Sequence, residues 1–375
     1  MRIAIIGTTA HSILGFRVDL IKSLIAKGHE VYAFAQDYQT ASKEAVEALG
    51  ALAISYAFNR TGLNPLVDLI NTFKLAKQLK EYKIEQTFCY FSKPVIFGTL
   101  AAIIARVSKR YAMLEGLGYT FTPQQQGYSF KTKLLKLVQV LLYQAILPHL
   151  NRFILLNEDD KKDLIDNYHI NIETVILGPI GLNLADYPYT PVKSDPVSFL
   201  FIGRLLKEKG IIEFITAAKL IKLQYPTTEF VILGPIDTEN PGGLAQTDLQ
   251  QLIDERVIIW PGFVDNVAQW IKKCSVFVLP SFYREGFPRS IQEAMAIGRA
   301  IITTNLPGCK ESVQEGVNGF LIKPYDVNEL ANKMAYFIDH PEKISEMGNS
   351  SYQIAIKNFN ASKINNRLME LLDLA

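Results

Sequence analysis

The chain has 375 residues, more than one hydrophobic core usually supports, so two domains of ordinary size are the first expectation. Apolar residues make up 49% and charged residues 20%, a globular composition that excludes disordered and collagen-like chains. Lys and Arg number 39 against 37 Asp and Glu, so no overall basic field points to nucleic acid as a partner.

Arg2 to Gly7 is too short an apolar run for a signal peptide and reads as a first buried strand. Cys89, Cys274 and Cys309 are isolated, with no CxxC spacing, as expected of reduced cytosolic thiols. The longest apolar stretch without formal charge lies between Lys136 and Arg152 and contains Gln139, Gln144, Pro148 and His149. It falls short of the ~18 apolar residues a spanning helix needs, which leaves a cytoplasmic or membrane-surface protein.

Short runs rich in β-branched and aromatic residues, Ile3 to Ile6, Val31 to Ala35, Ala53 to Phe58 and Thr87 to Phe91, read as strands. Between them Gly15 to Lys27, Thr40 to Leu49, Pro65 to Glu81 and Pro94 to Val107 carry helical apolar spacing. That rhythm predicts βαβ units in a doubly wound α/β domain with a parallel sheet. After strands at 152–157 and 174–177, the Gly- and Pro-dense segment from Gly178 to Pro191 is the linker candidate. A second alternating series follows at 198–202, 230–233, 257–260, 276–279 and 301–303, and two such sheets imply a cleft between two Rossmann-like domains. The expected division is 1–182, 183–355, and a terminal helix at 356–375 packing back on the first domain.

The strongest local signal is Gly203 to Gly210, at the carboxyl end of the first strand of the second series. Ligands of open α/β sheets gather at that edge. Gly203 is expected to turn the chain sharply, and Arg204 and Lys209 can neutralise a diphosphate, one as a fork and one as a point charge. A solvated basic turn is the plainer alternative. Glu285 to Glu293 follows the strand at 276–279, with Pro288 at a helix start and the amides of Phe287, Arg289 and Ser290 available to oxygen ligands. Glu293 suits ribose hydroxyls and Glu285 sugar hydroxyls, against the alternative of two exposed helix carboxylates.

These motifs, with the double α/β layout, resemble the retaining family-4 glycosyltransferases of the GT-B fold, over nearly the whole chain. The resemblance includes Pro261 to Asp265, where such enzymes approach the nucleobase, with Phe263 among the binding residues. Phe58 to Pro65 and Leu114 to Gly118 are similar to segments of bacterial N-acetylgalactosaminyl and other N-acetylhexosaminyl transferases acting on polyprenyl-diphosphate-linked glycans. The resemblance implies Arg204 and Lys209 on the donor diphosphate and Glu293 on the ribose. Glu285, with Gly286, Phe287 and Pro288, takes the transferred sugar, although Pro288 offers no N–H. It implies a UDP-sugar donor, a lipid-linked saccharide acceptor, no metal and no other cofactor, and a front-face reaction in which the leaving phosphate helps deprotonate the acceptor. Many relatives carry His where this chain has Glu115, so Glu115 reads either as an acceptor-orienting group or as a hydrogen-bond partner of the turn at 116–118.

The loop after the first strand, Thr8 to Arg17, lacks GxGxxG, and no P-loop occurs, which disfavours a dinucleotide oxidoreductase or P-loop ATPase. His11 and Gly15 are candidate contacts there, with plain solvation as the alternative for His11 and for Arg17. Glu158 to Asp160 reads as the acidic first turn of a helix in preference to a metal site. Phe130 to Tyr143 combines Lys131, Lys133 and Lys136 with an apolar face. Leu134, Leu137, Val138, Leu141 and Ala145 are expected to pack against the first sheet, and the lysine-rich start to touch the inner face of the cytoplasmic membrane. A nucleotide-sugar epimerase of the same architecture and a non-catalytic nucleotide-sugar-binding partner are the competing functions.

Overall fold

A computed structural model describes residues 1–58, 65–236 and 246–374. The chain divides into two compact units, Met1–Thr120 with Tyr128–Ile180 and Ala361–Ala375, and Phe121–Gly127 with Gly181–Asn360. Each is built on a parallel sheet.

The first sheet has seven strands: β1 (Arg2–Ile6), β2 (Glu30–Ala35), β3 (Leu52–Ser55), β4 (Gln86–Tyr90), β5 (Lys109–Met113), β6 (Arg152–Leu155) and β7 (Thr174–Ile176), in the order β3-β2-β1-β4-β5-β6-β7. β1 and β4 are almost wholly buried along both faces, as central parallel strands must be. The winding reverses between β1 and β4, so the loops after these strands flank the crevice where open α/β sheets bind ligands. The second sheet has five strands: β8 (Ser198–Ile202), β9 (Glu229–Leu233), β10 (Val276–Leu279), β11 (Ala300–Thr304) and β12 (Gly319–Ile322), in the order β12-β11-β10-β8-β9. Its reversal lies between β8 and β10, the strands that precede the two motifs singled out above.

Several elements differ from the sequence expectation. β5 and β12 were not anticipated, and 257–260 forms only a bridge, Ile259 to Val231, with no ladder of its own. Residues 15–27 are split: helix Ala10–Phe16 starts earlier, because Thr9 and Ser12 close a capping box, and Arg17 separates it from helix Val18–Ala26. His11 therefore sits on a helix, not in a loop, and Gly15, expected at the start of a helix, lies near the end of this one.

The unit boundaries also shift. Residues 121–127 belong with the second unit, tied there by Arg284 N–H donating to Thr122 Oγ1 at 3.1 Å and the Tyr325 hydroxyl donating to Pro123 O at 2.7 Å. Residues 356–360 stay there too, since helix Pro341–Asn358 runs through them and Leu182 N–H donates to Phe359 O. Helix Ala361–Leu371 belongs to the first unit: Gln86 donates to Leu372 O at 2.8 Å, Arg152 to Leu371 O at 2.7 Å and Arg367 to Ile176 O at 2.9 Å.

Helix Phe130–Ile146 departs furthest from expectation. Leu134, Leu137, Val138, Leu141 and Ala145 are exposed, not packed on the sheet; Thr132, Val140, Tyr143 and Ile146 face inward instead. No helix among the described residues is long and apolar enough to cross a membrane.

Candidate active site

In the second unit the two motifs are locked together by backbone. Residues 203–210 leave β8, make a tight turn at Lys207–Lys209, and enter helix Ile211–Gln224 through Gly210. Gly210 has φ +78°, and a Cβ there would lie 2.1 Å from Pro280 O, so only glycine lets this turn reach the end of β10. Two residues earlier, Glu208 O accepts the N–H groups of Phe282 and Tyr283, each at 2.9 Å, and the Ser281 hydroxyl. The basic loop and the acidic loop are thus one rigid piece, built over the β8/β10 reversal.

The side chains follow that backbone. Lys209 Nζ forms an ion pair with Glu285 Oε1, which also accepts from the Ser281 hydroxyl at 3.0 Å. Glu293 lies one turn into helix Arg289–Ile297; its Oε1 accepts from Arg289 Nε and from the Tyr187 hydroxyl, both at 2.9 Å. Burial, then the nearby Glu293 carboxylate, pushes the Tyr187 phenol up to about 12, so it remains a donor at neutral pH. Among the described residues the hydrogen bonds of both carboxylates fall on Oε1. Helix Arg289–Ile297 has Pro288 as its N-cap residue and no side-chain cap, which leaves its first-turn amides to other acceptors.

Arg204 is half-buried beside this cluster in sequence and follows Gly203 directly. The chain does bend at Gly203, but without a left-handed φ, and a Cβ there would meet only the Phe201 ring at 3.6 Å, so the bend itself does not require glycine. The glycine constraint falls on Gly234 instead, at φ +144°, where a Cβ would lie 1.9 Å from Gly203 O. Gly234 is held by the segment after Ile259, through its N–H to Gly262 O and the Trp260 indole to its carbonyl, both at 3.0 Å. That places exposed Phe263 near the ends of β8 and β9. Phe287, by contrast, is buried and packs its ring edge-on against Phe359 at 5.6 Å, so its side chain belongs to the interior packing. Sequence reading missed Ser281, Arg289 and Tyr187. The Arg289–Glu293 pair at i,i+4 was legible in spacing; Tyr187, from the linker, left no local signal.

The first unit has its own cluster. Arg17 is buried, forms an ion pair with Glu115, and lies 4.2 Å from the centroid of the Tyr90 ring. Tyr90 in turn shares a hydrogen bond of 3.0 Å with Ser12, and burial pushes its phenol up to about 12 against the pull of Arg17. Arg17 is therefore not a solvated loop residue, and Glu115 is tied to it rather than simply to the turn at 116–118. His11 is exposed on the first turn of its helix, on the same face as Gly15. Glu158 to Asp160 open a helix capped by the Asn157 side chain, which accepts from Asp160 N–H at 2.8 Å. Among the described residues no group of His, Cys, Asp and Glu could hold a metal ion. Most of the Phe58 to Pro65 segment lies outside the described residues.

The family model of glycosyl transferases group 1 matches residues 189–354, within the second unit and across both of its motifs. The second unit is a group 1 glycosyltransferase domain. The chain is 28% identical to the N,N'-diacetylbacillosaminyl-diphospho-undecaprenol alpha-1,3-N-acetylgalactosaminyltransferase of Campylobacter jejuni, over 100% of this chain and 98% of that protein. It is also 28% identical to the UDP-Gal:alpha-D-GlcNAc-diphosphoundecaprenol alpha-1,3-galactosyltransferase of Escherichia coli, over 81% and 79%. Sucrose-phosphate synthase from Thermosynechococcus elongatus matches with a TM-score of 0.78 at 19% identity, over 99% and 98% of the chains. Anabaena HepE in complex with UDP and glucose matches with a TM-score of 0.76 at 18% identity, over 100% of both. The architecture is GT-B.

Proposed function

We propose that the enzyme transfers a sugar, an N-acetylhexosamine, from a UDP-sugar to a polyprenyl-diphosphate-linked saccharide, with retention, in assembly of a bacterial surface polysaccharide or glycoprotein glycan. The observation that carries the donor half is the backbone lock between residues 203–210 and 280–285, which holds Lys209 and Glu285 together at the β8/β10 reversal. Similarity to two transferases named for undecaprenol-diphosphate acceptors, over 100% and 81% of this chain, supports the acceptor half.

In this reading Arg204 and Lys209 take the diphosphate, and Glu293, with Oε1 already engaged by Arg289 and Tyr187, offers Oε2 to the ribose hydroxyls. Glu285 and the amides of Gly286 and Phe287 hold the transferred sugar, and Phe263 lies at the nucleobase. The bond from the anomeric carbon to the β-phosphate oxygen breaks as the bond to the acceptor oxygen forms on the same face. The acceptor proton passes to the departing diphosphate, and the two cations stabilise the charge that develops there. No enzyme nucleophile and no metal enter the scheme. The first unit receives the acceptor, and the protein works at the inner face of the cytoplasmic membrane.

A donor panel assayed by UDP release, with and without polyprenyl-diphosphate-linked acceptors, tests the proposal. Release from UDP-N-acetylhexosamines that depends on the acceptor is expected. A preference for GDP-mannose or ADP-glucose, or formation of an epimer from UDP-N-acetylglucosamine alone, would overturn it.

A further inference from the structure

Helix Phe130–Ile146 turns several of its large apolar residues outward: Leu134, Leu137 and Leu141 are half exposed and follow one another at i, i+3 and i+7 along one stripe. A second helix of the same unit repeats the pattern. In Pro65–Glu81, Leu66, Ile70 and Phe73 stand open at i, i+4 and i+7, exposed by 72%, 56% and 55%. Both helices pack against the same short segment, Pro94–Gly98, so the two open stripes belong to neighbouring elements on one side of the first sheet. Isolated exposed leucines need no explanation, whereas two neighbouring helices that each leave an apolar stripe open do.

Charge says what covers them. Helix Phe130–Ile146 contains no acidic residue and carries Lys131, Lys133 and Lys136; Pro65–Glu81 carries Lys74, Lys77 and Lys80. Its Asp68 is buried in an ion pair with Lys93 at 3.1 Å, and its Glu81 is paired with Lys77 at 3.7 Å. Long lysine side chains flanking an apolar stripe match a surface whose outer layer is anionic and whose interior is hydrocarbon.

We infer that these two helices together form the surface by which the first unit lies on an anionic lipid bilayer, each helix contributing its apolar stripe and its lysines. The inference deepens the proposed function, and rests on it for the reason the enzyme needs a bilayer. It moves the contact from the lysine-rich start of one helix to a face shared by two.

The test is flotation of the full chain with vesicles of phosphatidylcholine alone or mixed with phosphatidylglycerol, followed by the variant Ile70→Glu/Leu137→Glu. Both positions are exposed, so folding is expected to survive, and an unchanged unfolding midpoint verifies it. The expected result is co-flotation of the wild type with the mixed vesicles only, weakened by salt, and a loss of about tenfold or more in the variant. Absence of vesicle binding by the wild type, equal binding by the folded variant, or a wild-type dimer that the variant converts to monomer would overturn the inference. Transfer to a short-chain, water-soluble prenyl-diphosphate acceptor is measured in parallel. Transfer without vesicle binding sinks the surface and leaves the function, whereas vesicle binding without transfer to any lipid-linked acceptor sinks the function and leaves the surface.

Discussion

Both units set ion pairs near the carboxyl edge of a parallel sheet, close to where the winding reverses, but they treat the cation differently. In the first, the Arg17 side chain is 3% exposed and lies against Tyr90. In the second, the Lys209 and Arg289 side chains are 15% and 28% exposed, and the carboxylates they meet accept through Oε1. A fully desolvated guanidinium depends on its carboxylate, because removing one partner leaves a charge with no water to receive it. A cation at the rim can exchange its carboxylate for a phosphate at little cost. The first cluster therefore holds a shape, and the second, in the proposed function, trades a carboxylate for the donor diphosphate.

The comparison breaks most visibly at Arg17. Replacing it with Leu is expected to cost about 3 to 5 kcal/mol in urea unfolding, because Glu115 is left buried and charged. Adding Glu115→Leu should return much of that loss; if single and double variants unfold alike, the pair is not what the site depends on. At the other cluster, Arg204→Ala should leave the unfolding midpoint nearly unchanged and lower kcat/KM for the donor by roughly 1.5 to 3 kcal/mol, the loss of a charge-assisted contact. Tyr187→Phe removes one of the two donors that hold Glu293, and should raise the donor KM by about 0.5 to 1.5 kcal/mol with kcat little altered. An equal fall in kcat would place Tyr187 in the chemical step instead.

The smallest effect is on the pH dependence of stability, and it should appear in both units. Burial raises Cys89 in the first and Cys274 and Cys309 in the second from 9.0 to about 12, and Tyr90 and Tyr187 from 10.0 to about 12. These groups bind their protons more tightly when folded. Their contribution is present below the unfolded values and is lost as pH rises from about 9 towards 12. Unfolding midpoints should accordingly fall over that window, and Tyr90→Phe should flatten the upper part of the fall.

Much of the fold was legible because its central strands are continuous apolar runs between turn signals, as at Ile3 to Ile6 and Val276 to Leu279. β5 escaped because Lys109 and Arg110 open it with charge, and β12 because Gly319 begins it. Gly319 is itself required there, since a Cβ would lie 1.9 Å from Ile301 O. The site was legible as two motifs of unusual residue types, Arg204 to Lys209 and Glu285 to Glu293. Their junction was not, because it runs through the carbonyl of Glu208, and a backbone acceptor leaves no mark on residue identity. Arg17 was misread for a related reason: a lone arginine after a strand looks solvated until the fold brings Glu115 and Tyr90 to it. Helix Phe130–Ile146 misled because periodicity reports a stripe but not which side of it meets the sheet.

The central claim is that the cluster at the β8/β10 reversal holds the nucleotide of the donor. Titration calorimetry of UDP against the wild type and the Arg204→Ala and Glu293→Ala variants, each with its unfolding midpoint verified, tests it directly. Binding by the wild type, weakened about tenfold or more in each variant, is the predicted result. Equal affinity in all three folded proteins would contradict it.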